Sequence, residues 1–221
     1  MRDIIRAESY YLLKNVRYYV FLAVIFVLRI LSAVPNFTWL STTTDFIFYI
    51  FIVILVLEFS HKDFNLGTMK NYVGSGVSLE NVYFGKLLTC MIAVVILSVV
   101  NIALRDVVDI ILGNGSVDIV RQLISLLISI EKNCILFFIC SLITSSVFAV
   151  IIGIAYSIVL GFVCALVKNP VTEAISPFLL DNINNAEKFT FDVMWHLLVT
   201  TLVVAIIVYL GAKLYSKREV K

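Results

Sequence analysis

The residues able to do chemistry in this 221-residue chain are few, and their spacing excludes more than it offers. His61 and His196, with Cys90, Cys134, Cys140 and Cys164, are the soft metal donors. No two of the cysteines form a Cys-x-x-Cys pair and there is no His-Glu-x-x-His run on a helix, so zinc and metalloprotease chemistry have no donor set. The cysteines all sit in apolar runs, which suits packed or lipid-facing thiols. A loop that cradles phosphate needs Gly-x-x-x-x-Gly-Lys-Ser/Thr; here Gly85-Lys86 is followed by Leu87, and the position five before Gly85 is Glu80. The expectation is a chain with no catalytic residues, no metal and no cofactor of its own, so that any ATP hydrolysis belongs to another chain. Three charges, Arg29, Glu131 and Lys132, interrupt apolar runs, at roughly 2.5–3.5 kcal/mol each on insertion scales. Arg29, five residues before Val34, can either snorkel outward or pair with Asp45 or Glu131 to clamp an outer gate.

The elements that must hold these residues follow from composition. Hydrophobic residues make up 61% of the chain and charged ones 14%, against roughly 25% charged in soluble proteins. Too few charges are present to cover that much apolar surface with water, so the remaining solvent is lipid. A net charge of +2 without a basic patch leaves no footprint for nucleic acid. A span takes about 20 residues, so six spans use about 120 and leave only short loops and ends.

The expected fold is therefore an all-α membrane protein, one permease-like domain over 1–221, with spans at about 18–34, 42–58, 84–104, 122–143, 147–168 and 193–212. Residues 1–17, with cations among apolar positions at helical spacing, predict an amphipathic interfacial helix. The apolar stretch 122–168 would reach about 70 Å as one helix, far more than a hydrocarbon core of ~30 Å, so it must reverse; Thr144, Ser145 and Ser146 mark the place.

Cation placement sets the orientation. Arg2, Arg6, Lys14, Arg17, Lys62, Lys70, Lys86, Lys213, Lys217, Arg218 and Lys221 fall on one side of this plan, and Arg105, Arg121, Lys168 and Lys188 on the other. By the positive-inside rule both termini and the segment 59–83 lie in the cytoplasm of a multi-pass protein of the cell membrane.

That segment carries the most specific pattern in the chain. It reads Asp63-Phe64-x-x-Gly67-Thr68-x-Lys70-Asn71, then Gly76-x-Ser78, then Gly85-Lys86 opening a span, with Glu58 just before it. Its glycines permit a left-handed turn, and Phe64, Met69, Tyr72 and Val73 give it an apolar face that lipid or a partner must cover. The pattern is similar to the cytoplasmic loop after the second span of type-2 ABC exporter permeases, including bacterial peptide-export and lantibiotic-immunity subunits. Where such permeases commonly carry an arginine after Gly-x-Ser, this chain has Leu79 and Glu80. The resemblance implies a coupling helix that docks into a separate ABC ATPase, which holds the ATP and magnesium. On this chain it assigns the coupling role to Glu58, Asp63, Phe64, Gly67, Thr68, Lys70, Asn71, Gly76, Ser78 and Lys86.

The fifth span places a small residue at every fourth position, Ala149, Gly153, Ser157, Gly161 and Ala165, a ridge that lets helices approach closely. Such a ridge serves packing within the chain equally with a subunit interface or the wall of a path. In the permeases that the chain resembles, the second and fifth spans line the route between two permease subunits, identical or related. Phe46, Tyr49, Arg29 and Glu131 are the candidate path or gate residues, and the expected cargo is amphipathic or hydrophobic, peptides ahead of drugs or lipids. An ion-coupled secondary transporter is the alternative, although no internal repeat and no proline inside an assigned span supports it. A non-transporting immunity or sensor subunit is the other.

Overall fold

The computed structural model describes residues 2–32, 34, 40–66, 69–111, 113, 119–143, 145, 147–156 and 191–217. Among them the chain is helical almost throughout, with no strand. The helices are α1 (Arg2–Lys14), α2 (Val16–Ser32), α3 (Leu40–Leu66), α4 (Met69–Gly74), α5 (Leu79–Ile111), α6 (Ile119–Leu142), α7 (Val147–Tyr156) and α8 (Phe191–Ser216). Four are long and apolar enough to cross a membrane, through Thr44–His61 of α3, all of α5, Gln122–Leu142 of α6 and Leu197–Ser216 of α8. A fifth crossing follows if α1 and α2, bent by 57° at Asn15, are taken together. The protein is thus an all-helical chain with the helices of a multi-pass membrane protein.

Side-chain contacts sort the helices into two ends. At one end, Tyr11 and Asn15 reach Glu58 of α3, His61 reaches the carbonyl of Ile143, and Lys213 of α8 reaches Glu80 of α5. At the other, Arg29 of α2 meets Asp45 of α3 and Asn101 of α5, while Gln122 of α6 donates to Asp106. α2, α3, α5 and α6 therefore alternate in direction, and α8 runs parallel to α6. The chain also doubles back after α6, which ends at Leu142: Gly153 of α7 lies against Leu136 of α6 and against Val53 and Leu57 of α3.

Helix ends fall where caps exist, and these are not the edges of the apolar runs. α3 continues past Glu58 to Leu66, so Glu58 does not close a helix and His61 is not in a loop; it is buried in α3 at 3% exposure. α5 is 33 residues long, about 50 Å, and overruns the expected span 84–104 at both ends. Charged Arg105, Asp106 and Asp109 do not stop it; Gly113, in the left-handed region at φ +71°, does, with its N–H on the carbonyl of Ile110 at 3.1 Å. At the α1–α2 elbow Asn15 caps α2, its Oδ1 accepting the N–H of Arg17 at 3.1 Å.

The core is built by α3, α5, α6 and α8. Ile52, Val53, Leu55 and Val56 of α3 pack with Val94 and Leu97 of α5 and with Leu136, Phe137 and Cys140 of α6. Tyr83 lies edge-on to Phe137 at 5.4 Å and beside Tyr215 at 5.5 Å. Two glycines make the close crossings possible. A Cβ at Gly211 would stand 2.5 Å from the Tyr83 hydroxyl and 2.7 Å from Phe138, and one at Gly85 would stand 2.7 Å from Ile4 of α1. Cys90, Cys134 and Cys140 are buried and unbridged.

Candidate functional site

The segment between α3 and α5 is a short helix set between a stop and a start. α4 ends in a double turn: the N–H of Val77 bonds the carbonyl of Tyr72 at 3.1 Å, and that of Gly76 bonds Val73 at 3.0 Å, with Gly76 at φ +76°. This is the Schellman arrangement, which satisfies the last carbonyls of a helix and needs a left-handed residue where Gly76 stands. Two residues later Ser78 begins α5. Its carbonyl accepts the N–H of Val82 at 3.2 Å, and its hydroxyl faces the N–H of Asn81 at 3.4 Å. The Gly76-x-Ser78 pair is thus a C-cap followed by an N-cap, and it fixes the angle at which α4 leaves α5. Asn71 and Val73 project from α4 into the open, Val73 with 46% of its surface exposed.

The remaining residues expected to couple divide into two groups. Glu58 and Lys86 turn inward. Glu58 Oε1 accepts the Tyr11 hydroxyl at 2.7 Å and Asn15 Nδ2 at 3.0 Å, and stands 3.9 Å from the Arg17 guanidinium. Burial, and then the hydrogen bond to Glu58, push the Tyr11 hydroxyl up to about 12. Lys86, 1% exposed, donates to the carbonyl of Phe59 at 3.3 Å. The pair therefore binds the base of the segment to the α1–α2 elbow and to α3. Asp63 and Phe64 lie on the last turns of α3 and Lys70 on α4, with side chains outside the described residues; Gly67 and Thr68 are outside them altogether.

His61, which sequence spacing gave no reason to select, is part of the same base. Its Nδ1 lies 2.9 Å from the Ser60 hydroxyl and its Nε2 2.9 Å from the carbonyl of Ile143. The imidazole thereby ties the end of α3 to the turn between α6 and α7. No periodic pattern points to that turn, since the contact spans 82 residues.

At the opposite end Arg29 is 1% exposed, and its guanidinium donates to Asn101 Oδ1 at 3.0 Å and pairs with Asp45. Of the two partners foreseen for it, Asp45 is the one in place, and the side chain is buried within the bundle instead of snorkelling to the surface. Glu131 is elsewhere, near the middle of α6, where Oε1 contacts the hydroxyl of Thr201 on α8. Asn101 was missed because a lone asparagine in an apolar run carries no spacing signal.

The other candidates are placed as follows. Phe46 is 63% exposed on the outside of α3, and Tyr49 is half-buried against the core. Ala149 and Gly153 of the small-residue ridge are buried within the chain, Gly153 between α3 and α6. Ser157, Gly161 and Ala165 lie outside the described residues. No protein-family model matches the sequence, and no curated protein matches it.

Proposed function

We propose that the chain is the membrane subunit of an ATP-driven exporter, with α4 as the coupling helix that docks into a separate ATPase. The observation that carries the reading is α4 itself. It is a six-residue helix held between two helices long enough to span, C-capped at Gly76 before Ser78 opens α5, and it presents Asn71 and an exposed Val73. An apolar side chain on a polar tip is what a docking groove would cover. The fixed base of Glu58, Lys86 and His61 would pass a push on α4 into the elbow, α3 and the α6–α7 turn as one body.

In this reading the bundle has six spans, with α2 and α7 as the first and fifth, α1 lies in the headgroup layer, and both termini face the cytoplasm. Support comes from the alternating directions of α2, α3, α5 and α6, from α8 running parallel to α6 after the chain doubles back, and from the cations near the α4 end, among them Lys14, Arg17, Lys86 and Lys213. Two permease subunits would form the path and cargo would cross by alternating access. The cargo class is amphipathic or hydrophobic, peptides ahead of the others. The test is co-purification: a cognate ABC ATPase should be retained by the full chain and lost when residues 63–71 are deleted, while membrane insertion persists. Retention of the ATPase by the deleted chain would contradict the coupling role.

A further inference from the structure

We propose that the outer face of α1 holds the headgroup of an anionic phospholipid, with Arg6 and Lys14 on its phosphate and Tyr10 between them. The inference rests on the part of the reading above that lays α1 in the headgroup layer, and it needs neither an ATPase nor a second permease.

The two faces of α1 differ in kind. Ile4, Glu8 and Leu12 are buried, Ile4 against Gly85 of α5, and Tyr11 reaches Glu58 of α3. Asp3, Arg6, Ala7, Tyr10, Leu13 and Lys14 are exposed and return at intervals of three and four, so they form one stripe along the opposite side. Within it Arg6 stands about one turn before Tyr10 and Lys14 about one turn after. The Lys14 ammonium lies over the Tyr10 ring, 4.6 Å from its centroid, which draws it back along the stripe towards Arg6. Asp3, Arg6, Ala7 and Tyr10 line an open groove of about 320 Å³.

This is the donor set for a phosphodiester, whose oxygens only accept: a guanidinium fork, an ammonium and a phenol hydroxyl on one side of one helix. Asp3 is the acid of the groove. A headgroup with free hydroxyls, such as glycerol, would give Asp3 donors while the phosphate takes the cations.

Continuity with an apolar stripe makes a lipid the occupant. At the elbow Leu13 and Val16 flank Lys14, 64% and 71% exposed. From there the exposed Val20, Val24, Val27 and Leu31 continue along one side of α2. Val16 to Leu31 covers about 22 Å, enough for an acyl chain to run inward from the headgroup. The two stripes meet at a fixed angle. The helices are bent by 57°, Asn15 caps α2, and the Tyr19 hydroxyl donates to the carbonyl of Leu13 at 2.9 Å. A basic face set beside an apolar one is how a helix in the surface plane selects anionic lipid. Because the inner face of α1 carries Ile4 and Tyr11, a headgroup held outside ties the membrane surface to the base around Glu58.

Native mass spectrometry tests the site, with the purified full chain in a neutral detergent offered equal amounts of dioleoylphosphatidylglycerol and dioleoylphosphatidylcholine. The wild type should retain the anionic lipid in preference. Arg6→Gln with Lys14→Gln, both at exposed positions, should weaken its retention by about thirtyfold, roughly fivefold per cation. The charge-matched tail variant, Lys217→Gln with Arg218→Gln, should keep the preference. No preference in the wild type, or an equal loss in the tail variant, would overturn the site. Displacement of the lipid by excess inorganic phosphate would overturn the lipid as its occupant. A fluorophore on Leu13→Cys, with the native cysteines replaced by serine, is expected to be quenched by a headgroup-depth quencher in bilayers. Quenching without anionic preference would remove the site and leave α1 in the headgroup layer; absence of quenching would remove both.

Discussion

An arginine that is 1% exposed among apolar side chains must have its donors used, and Arg29 spends them on Asp45 and Asn101. The pair is asymmetric, because the Asp45 side chain keeps about half its surface, 51%, in the open. Replacing Arg29 with Gln leaves an aspartate that water can still reach, so the expected cost is about 1–3 kcal/mol of stability, seen as a lower unfolding midpoint in detergent. Arg29→Lys should recover only part of it, since an ammonium cannot reproduce the guanidinium fork. An unchanged midpoint in the glutamine variant would mean that the pair holds nothing together. At the elbow, the Tyr11 phenol ionises at about 12 in the folded chain against 10.0 in a free side chain. A raised value means that its contribution is whole below pH 10 and is lost as the pH rises through 12. Tyr11→Phe should therefore flatten the stability profile between those two values, and a profile identical to wild type would deny the phenol that role. At this scale the sequence made Asp45 legible, because it lies only 16 residues from Arg29. Asn101 and His61 stayed hidden because their partners lie 72 and 82 residues away, where no local pattern reaches.

Helices here are placed by close crossings more than by their apolar faces. Gly85 is where α1 meets α5, and a Cβ there would come within 2.7 Å of Ile4 Cγ2 and 3.1 Å of its Cβ. Gly85→Ala gains about 1 kcal/mol of helix propensity but overpacks the crossing by about 1–3 kcal/mol, so net destabilisation and loosening of α1 are expected. The double variant Gly85→Ala with Ile4→Ala should regain part of the lost midpoint, because the clash then has room; two additive losses would place the effect elsewhere. The same elements show why helix existence was readable and helix ends were not. Apolar runs reveal where lipid surrounds a helix, and the windows at α3, α5, α6 and α8 were plain for that reason. They say nothing of where hydrogen bonding stops, which is why α3 passes Glu58 and α5 passes Asp109. The stop signals were present in Gly76 and Gly113, both at positive φ, but a glycine among polar residues does not by itself say which side of it is helical.

For the molecule as a whole, the two ends of the bundle differ in kind. One gathers the elbow, the α4 segment, the α6–α7 turn and the end of α8 around Glu58, His61, Lys86 and Lys213; the other is fastened by Arg29, Asp45 and Asn101. The exporter proposed above would use such a division, with a stiff base that receives force and a remote clamp that opens. The multi-pass helical architecture was legible from composition alone. The docking role proposed for α4 rests on the pattern from Asp63 to Lys86, two of whose members, Gly76 and Ser78, also have a structural reason of their own as the C-cap of α4 and the N-cap of α5. The claim on which the rest depends is that α4 faces the cell interior. A single cysteine at Asn71, in a chain whose four native cysteines are replaced by serine, can be offered a membrane-impermeant maleimide, with a second single cysteine at Ile111 as the opposite marker. The account predicts that the Asn71 position reacts in inside-out vesicles and stays unlabelled in intact cells, with the reverse at Ile111; labelling of the Asn71 position from outside intact cells would contradict it.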